Sequence, residues 1–230
     1  MVDGDYILEP YSYFVLTSDK IVLKQFYPSA VDNVILERKN LPSYDDDQGV
    51  VLIFDSLGHI IDQMAYRDDF HFALLKDKEG VSLEKISPEL SSNQKESWHS
   101  AGSEVGYATP GYRNSQYHDV LSSEHELTVE PRVFTPNNDG YHDVAIIYYR
   151  FSQPGYIGTV SVFDVEGRKV KDLVVNALLS SEGSWVWDGL DAAGESVLSG
   201  YYVLMGTFFR LDGDVSRWKS VVVVGQVSRD

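Results

Sequence analysis

The chain has no cysteine. Disulfide frameworks, thiolate zinc sites and cysteine nucleophiles are excluded together. Positive charge is scarce: 19 Lys and Arg stand against 35 Asp and Glu, a formal net charge of −16, and no basic run exceeds two residues. Binding to a phosphate backbone needs clustered cations, so the balance argues against a nucleic-acid partner. Long hydrophobic runs are missing too. Nothing approaches the ~20 apolar residues of a membrane span, and no transmembrane segment is expected. Met1-Val2-Asp3-Gly4-Asp5 offers neither the basic n-region nor the apolar h-region of a signal peptide. That start reads as a cut inside a larger protein, so the upstream part of the same polypeptide is an expected partner.

What is present favours strands. Hydrophobic residues make up 43% of 230, enough for a real core, and the 15 tyrosines suit half-buried strands. In the first half, residues 11–17, 50–54, 59–66 and 81–86 are rich in β-branched, aromatic and aliphatic side chains. Asp55-Ser56-Leu57-Gly58 reads as a hairpin turn, with Gly58 able to take positive φ. One helix is predicted, capped by Ser18 or Asp19, with Ile21, Val22, Phe26 and Tyr27 roughly on one face and Pro28 closing it. Trp98, Tyr107 and Tyr112 are spaced among Gly102, Gly106, Pro110 and Gly111, which marks a folded edge rather than a linker.

The best boundary is the polar, acidic stretch from residue 116, which divides a first domain over 1–115, a linker over 116–129 and a second domain over 130–230. In that stretch Tyr117, Val120 and Leu121 could pack between the domains. Beyond it, strands are predicted at 144–151, 158–164, 169–175, 184–187, 201–210 and 216–224. Turns at Val165-Glu166-Gly167, Asp191-Ala192-Ala193-Gly194 and Leu211-Asp212-Gly213-Asp214 separate them. Short strands at regular spacing with such punctuation indicate β-sandwiches. The predicted fold is all-β, two tandem immunoglobulin-like sandwiches.

Two resemblances follow from motifs. Tyr13 to Asp19 (YFVLTSD), Leu41 to Asp55, GVSLEKIS from Gly80, Trp98-His99-Ser100-Ala101 and Gly106 to Ser115 (GYATPGYRNS) together resemble the bacterial lamin tail domain. The family's usual opening strands, one containing Asn-Glu and one of the type "ElyN", are absent. The resemblance thus implies a sandwich entered partway, with a β edge left without its partner. Phe134 to Asp143 (FTPNNDGYHD), Val162 to Val174, Trp185 to Val203 and Lys219 to Val224 resemble the immunoglobulin-like domain of the flagellar hook-capping protein. Similar domains recur at the C-termini of exported Bacteroidetes proteins. This resemblance implies an extracellular, cell-surface or periplasmic setting and a role in export or anchoring.

Chemistry-bearing residues are few. Asn137, Asp139 and Asp143, clustered around Gly140, could hold a hard cation such as Ca²⁺; the other reading is an Asx-turn network that needs no metal. No other cofactor is expected. Asp45-Asp46-Asp47 alternates between faces on an extended chain and reads as a solvated loop. Asp68, Asp69, His71 and His99-Ser100 lie in a sequence with no nucleophile elbow and no paired-His metal spacing, so catalysis is not expected. Trp185 and Trp187 share a strand face with Val186 opposite, which places them in a core rather than on a sugar platform. The functional expectation is a non-catalytic binding or structural module pair with a protein or cell-surface partner. Its rival is a pair of accessory, substrate-binding domains of a secreted hydrolase whose catalytic domain lies upstream.

Overall fold

A computed structural model describes residues 7–118 and 126–225, and the chain divides into two compact units, Met1–Val120 and Leu121–Asp230. Both are built from strands, and the all-β reading holds.

In the first unit, β1 (Val15–Thr17) pairs in parallel with β2 (Ile35–Glu37), and helix α1 (Lys20–Phe26) lies between them in the chain. Asp19 caps α1: its Oδ1 accepts from the backbone N–H of Ile21 and of Val22, each at 2.9 Å, two donors that a helix start leaves orphaned. The apolar residues of α1 find no interior, and none is buried. β3 (Gln48–Phe54) and β4 (Ile60–Arg67) form an antiparallel ribbon around the Asp55 turn. β5 (Leu83–Lys85) pairs antiparallel with β6 (Trp98–Ser100). The strand expected over 11–17 is formed only at Val15–Thr17.

The second unit is a two-layer sandwich. Its strands are β7 (Glu126–Glu130), β8 (Val133–Phe134), β9 (Ala145–Arg150), β10 (Ile157–Asp164), β11 (Lys169–Leu178), β12 (Glu182–Trp187), β13 (Gly200–Phe209) and β14 (Val215–Val224). One sheet has the order β11-β10-β13-β14-β8 and the other β12-β9-β7. The inward residues of both sheets interdigitate in one core, with Ile147, Val160, Val162, Trp187, Leu204 and Val222 fully buried. Strict period-2 alternation puts Trp185 and Trp187 inside and leaves Val186 exposed. Gly158 marks the tightest packing: a Cβ there would sit 2.4 Å from Leu179 Cδ1 and 2.8 Å from Phe208 Cδ1.

The segment read as a linker is partly structure. Gln116 donates its backbone N–H to Glu84 Oε2 at 3.0 Å and His118 donates to Ile86 O at 2.8 Å, so residues 116–118 belong to the first unit. Glu126–Glu130 is a strand of the second, antiparallel to β9. Val120 and Leu121, expected to pack between domains, lie outside the described residues, as do Met1 to Tyr6.

Candidate functional site

The loop carrying Asn137, Asp139 and Asp143 joins β8 to β9. Asn137 Nδ2 donates to Asp139 Oδ2 at 2.8 Å, and Asn137 Oδ1 accepts from Asp139 N at 3.1 Å. Asp139 Oδ1 accepts from Tyr141 N at 2.7 Å, and Asp143 Oδ2 from Gly140 N at 2.8 Å. The Asn137 amide, then the Tyr141 N–H, hold the Asp139 carboxyl below its usual value. Positive φ at Asn138, Gly140 and His142 bends the chain tightly enough to close these bonds. The three residues are thus brought into one loop, and most of their oxygens are engaged by local donors. One is not: Asp143 Oδ1 is buried without a hydrogen-bond partner.

His71 and Ser100 also meet. Ser100 Oγ lies 3.0 Å from His71 Nδ1 and accepts from Phe72 N at 2.9 Å, while His99 Nδ1 lies 3.0 Å from Ser100 O. Burial, then nearby Lys78, keeps His71 less basic than usual. Ser100 is fully buried, so no substrate reaches its hydroxyl. The arrangement ties the start of residues 71–75 to β6 and has the geometry of a structural clasp. Trp98 likewise donates Nε1–H to Ser92 O at 3.0 Å. Asp45, Asp46 and Asp47 are exposed, with Asp45 O accepting from Tyr66 Oη and Asp47 Oδ1 from Gln48 N. No group of three or more His, Asp or Glu among the described residues is placed to hold a metal.

A feature that residue motifs did not reveal is the interior of the first unit. Its buried carboxylate, Glu84, accepts from Thr109 Oγ1 at 2.5 Å, Ser115 Oγ at 2.6 Å and Gln116 N at 3.0 Å; Ser115 Oγ in turn accepts from Gly102 N at 2.8 Å. Polar groups therefore hold the loop over 102–116 to β5. The buried apolar residues of this unit, among those described, are only Ala30, Phe72, Ala101 and Ala108.

The apolar side chains that could have filled a core face outward instead. On the β3–β4 ribbon Val50 is 61% exposed and Ile61 66%, with Leu52, Ile53, Phe54 and Ile60 also exposed and Leu57 at the turn 80% exposed. Phe26 of α1 is 72% exposed. Antiparallel sheets normally offer water a polar face. By strand alternation Val50, Leu52 and Ile61 fall on one face and Ile53 on the other, and exposed apolar side chains of this kind are the chemistry of a contact surface. Its signal in the sequence was the unbroken apolar run Val50-Val51-Leu52-Ile53-Phe54, which marks a strand with apolar side chains on both faces without saying what covers them.

No family model matches the chain, and no curated protein matches it. Among solved structures it is similar to CopC from Methylosinus trichosporium OB3b, at 16% identity over 44% of this chain and 93% of that one, with a TM-score of 0.29. It is also similar to FlgD from Xanthomonas campestris, a structure concerned with hook capping in flagellar assembly. That likeness is 29% identity over 30% of this chain and 58% of the other, with a TM-score of 0.23. The third is PorZ, a surface component of the type-IX secretion system of Porphyromonas gingivalis, at 17% identity over 78% of this chain, 23% of that chain and a TM-score of 0.32. No helix among the described residues is long and apolar enough to cross a membrane.

Proposed function

We propose that the chain is a non-catalytic pair of binding modules of a larger exported or cell-surface bacterial protein, acting by contact with a protein or surface partner. The observation that carries this reading is the β3–β4 ribbon. Val50, Leu52, Phe54, Ile60 and Ile61 are exposed on a two-stranded ribbon whose outer edges, among the described residues, have no strand beside them. Leaving such a surface in water gives up about 25 cal/mol for every Å² of apolar area that a partner would cover. The lamin-tail-like motifs support the same reading, because that resemblance implies contact with protein partners. The hook-capping-like motifs of the second unit support a role in export or anchoring at the cell surface or in the periplasm.

Light scattering over a concentration series tests the reading. The protein is expected to associate as concentration rises, and Leu52→Lys with Ile61→Lys to abolish association without lowering the melting temperature. A wild-type protein that stays monomeric and binds no apolar dye contradicts it.

A cation in the loop of Asn137, Asp139 and Asp143 is a separate proposal, favoured by the unpartnered Asp143 Oδ1. Calcium at about 1 mM, the range in which extracellular modules bind it, is expected to raise the melting temperature, and Asp143→Asn to remove the rise. An unchanged melting temperature leaves the loop as an Asx-turn network.

A further inference from the structure

The second unit has an open strand edge. β14 pairs with β13 along its whole length, from Gly200↔Val224 to Phe209↔Val215, without a register shift. On its other side β8 covers only Val223 and Val224. Bonds at both ends fix which backbone groups face outward. Arg210 N donates to Asp214 O, so even-numbered residues of β14 bond to β13; Val223 N donates to Arg132 O, so odd-numbered ones point away. The N–H and C=O groups of Val215, Arg217, Lys219 and Val221 therefore line an edge that no strand among the described residues occupies.

That edge is cationic in an acidic chain. The side chains of Arg217 and Lys219 are exposed on the outer face of the sheet, flanked by exposed Val215 and Val221. Neither makes an ion pair among the described residues, although most other cations described in this unit do: Arg150 with Glu182, Arg168 with Asp164 and Lys171 with Asp188. Lysine and arginine on an edge strand oppose pairing with a second copy, since antiparallel self-pairing about Trp218 would set Arg217 against Lys219. The same charges favour an incoming strand of opposite sign.

We propose that the Val215–Val221 edge of β14 is a docking site for an extended acidic peptide segment, which adds to the five-stranded sheet. Main-chain hydrogen bonds to Val215, Arg217, Lys219 and Val221 provide the attachment. Acidic side chains opposite Arg217 and Lys219, with apolar ones opposite Val215 and Val221, provide the selection. The proposal stands on the second unit alone, so its failure leaves the ribbon reading of the first unit untouched.

The test is an amide NMR titration of the whole chain with a capped peptide Val-Thr-Glu-Thr-Glu-Thr-Val, about the length of the open edge, whose odd positions set Val opposite Val215 and Val221 and Glu opposite Arg217 and Lys219. The same peptide with Lys in place of Glu and a heparin oligosaccharide serve as controls. Shifts confined to β14 and β13 and slowed exchange of the Arg217 and Lys219 amides are expected with the Glu peptide only. Lys219→Pro removes an outward N–H while leaving every β13 bond, so it is expected to abolish binding with the sheet intact. Lys219→Glu with Arg217→Glu is expected to weaken it at least about tenfold. Failure of the Glu peptide to bind, equal binding of the Lys peptide, or binding unaffected by Lys219→Pro overturns the proposal. Heparin binding in place of peptide binding overturns it as well.

Discussion

Trp185 and Trp187 stand two residues apart on one strand and face the same core, yet their polar atoms fare differently. Trp187 donates Nε1–H to Leu190 O at 3.0 Å and meets Phe134 and Tyr202 edge-on, with ring centroids 5.4 and 5.0 Å away. Trp185 stacks on Tyr149 at 4.2 Å, but its Nε1–H is buried with no acceptor. Trp187→Phe loses ring volume and strands a carbonyl, and is expected to cost about 2–3 kcal/mol. Trp185→Phe loses similar ring volume but keeps the stack and deletes a donor that was already unsatisfied, so it is expected to cost about 1 kcal/mol less than Trp187→Phe. Urea unfolding of the two variants makes the comparison; equal costs would mean that the hydrogen bond of Trp187 adds nothing. The shared face was legible in the sequence because strand alternation is strict. Which indole nitrogen finds a carbonyl depends on the turn after β12, and no local pattern reveals it.

At the scale of elements, one turn recurs. In Asp55-x-x-Gly58, Asp164-x-x-Gly167 and Asp191-x-x-Gly194 the glycine has positive φ and its N–H returns to the aspartate carbonyl. In each, the aspartate Oδ1 accepts two further backbone N–H groups: Leu57 and His59, Glu166 and Arg168, Ala193 and Glu195. The glycines announced these turns in the sequence, but the aspartate three residues before each was the unused half of the signal. The Asp164 carboxyl is held below its usual range by the Arg168 side chain first and the Arg168 backbone next. For Asp55 the His59 backbone N–H comes first. A lowered folded value means that their contribution is complete above the unfolded value near 3.8 and is lost as pH falls through the folded value. Asp164→Ala is therefore expected to melt at a lower temperature than wild type at neutral pH and to lose less on acidification between about pH 5 and pH 2. Parallel melting curves across that range would contradict this.

Elements also mark where sequence reading stopped short. The α1 pattern is amphipathic and its Asp19 cap formed as expected, yet Ile21 and Phe26 stay exposed, because periodicity states which face is apolar and not whether anything covers it. Glu84 is the reverse case. A charged residue in a short alternating strand reads as solvated, but its acceptors meet donors from Thr109, Ser115 and Gln116, which are distant in sequence. β7 was missed for a related reason: Glu126–Glu130 is flanked by acids and weakly alternating, and only its ladder with β9 makes it a strand.

At the scale of the whole molecule, the two units are stabilised by different means. The second has a continuous aromatic and aliphatic core between a five-stranded and a three-stranded sheet. The first has a polar interior around Glu84 and Ser100, two-stranded ladders, and an apolar ribbon facing outward. An isolated two-stranded ribbon is marginal in water and gains stability when another strand or surface covers it. Amide hydrogen exchange on the dilute, monomeric protein separates a β3–β4 ribbon that awaits a partner from one that is complete by itself. If the ribbon awaits a partner, the amides of Val50 to Phe54 and Ile60 to Tyr66 exchange far faster than the paired amides of β10 and β13. Ribbon amides protected as strongly as those of β10 and β13 would contradict it, because the ribbon would then be complete without a partner.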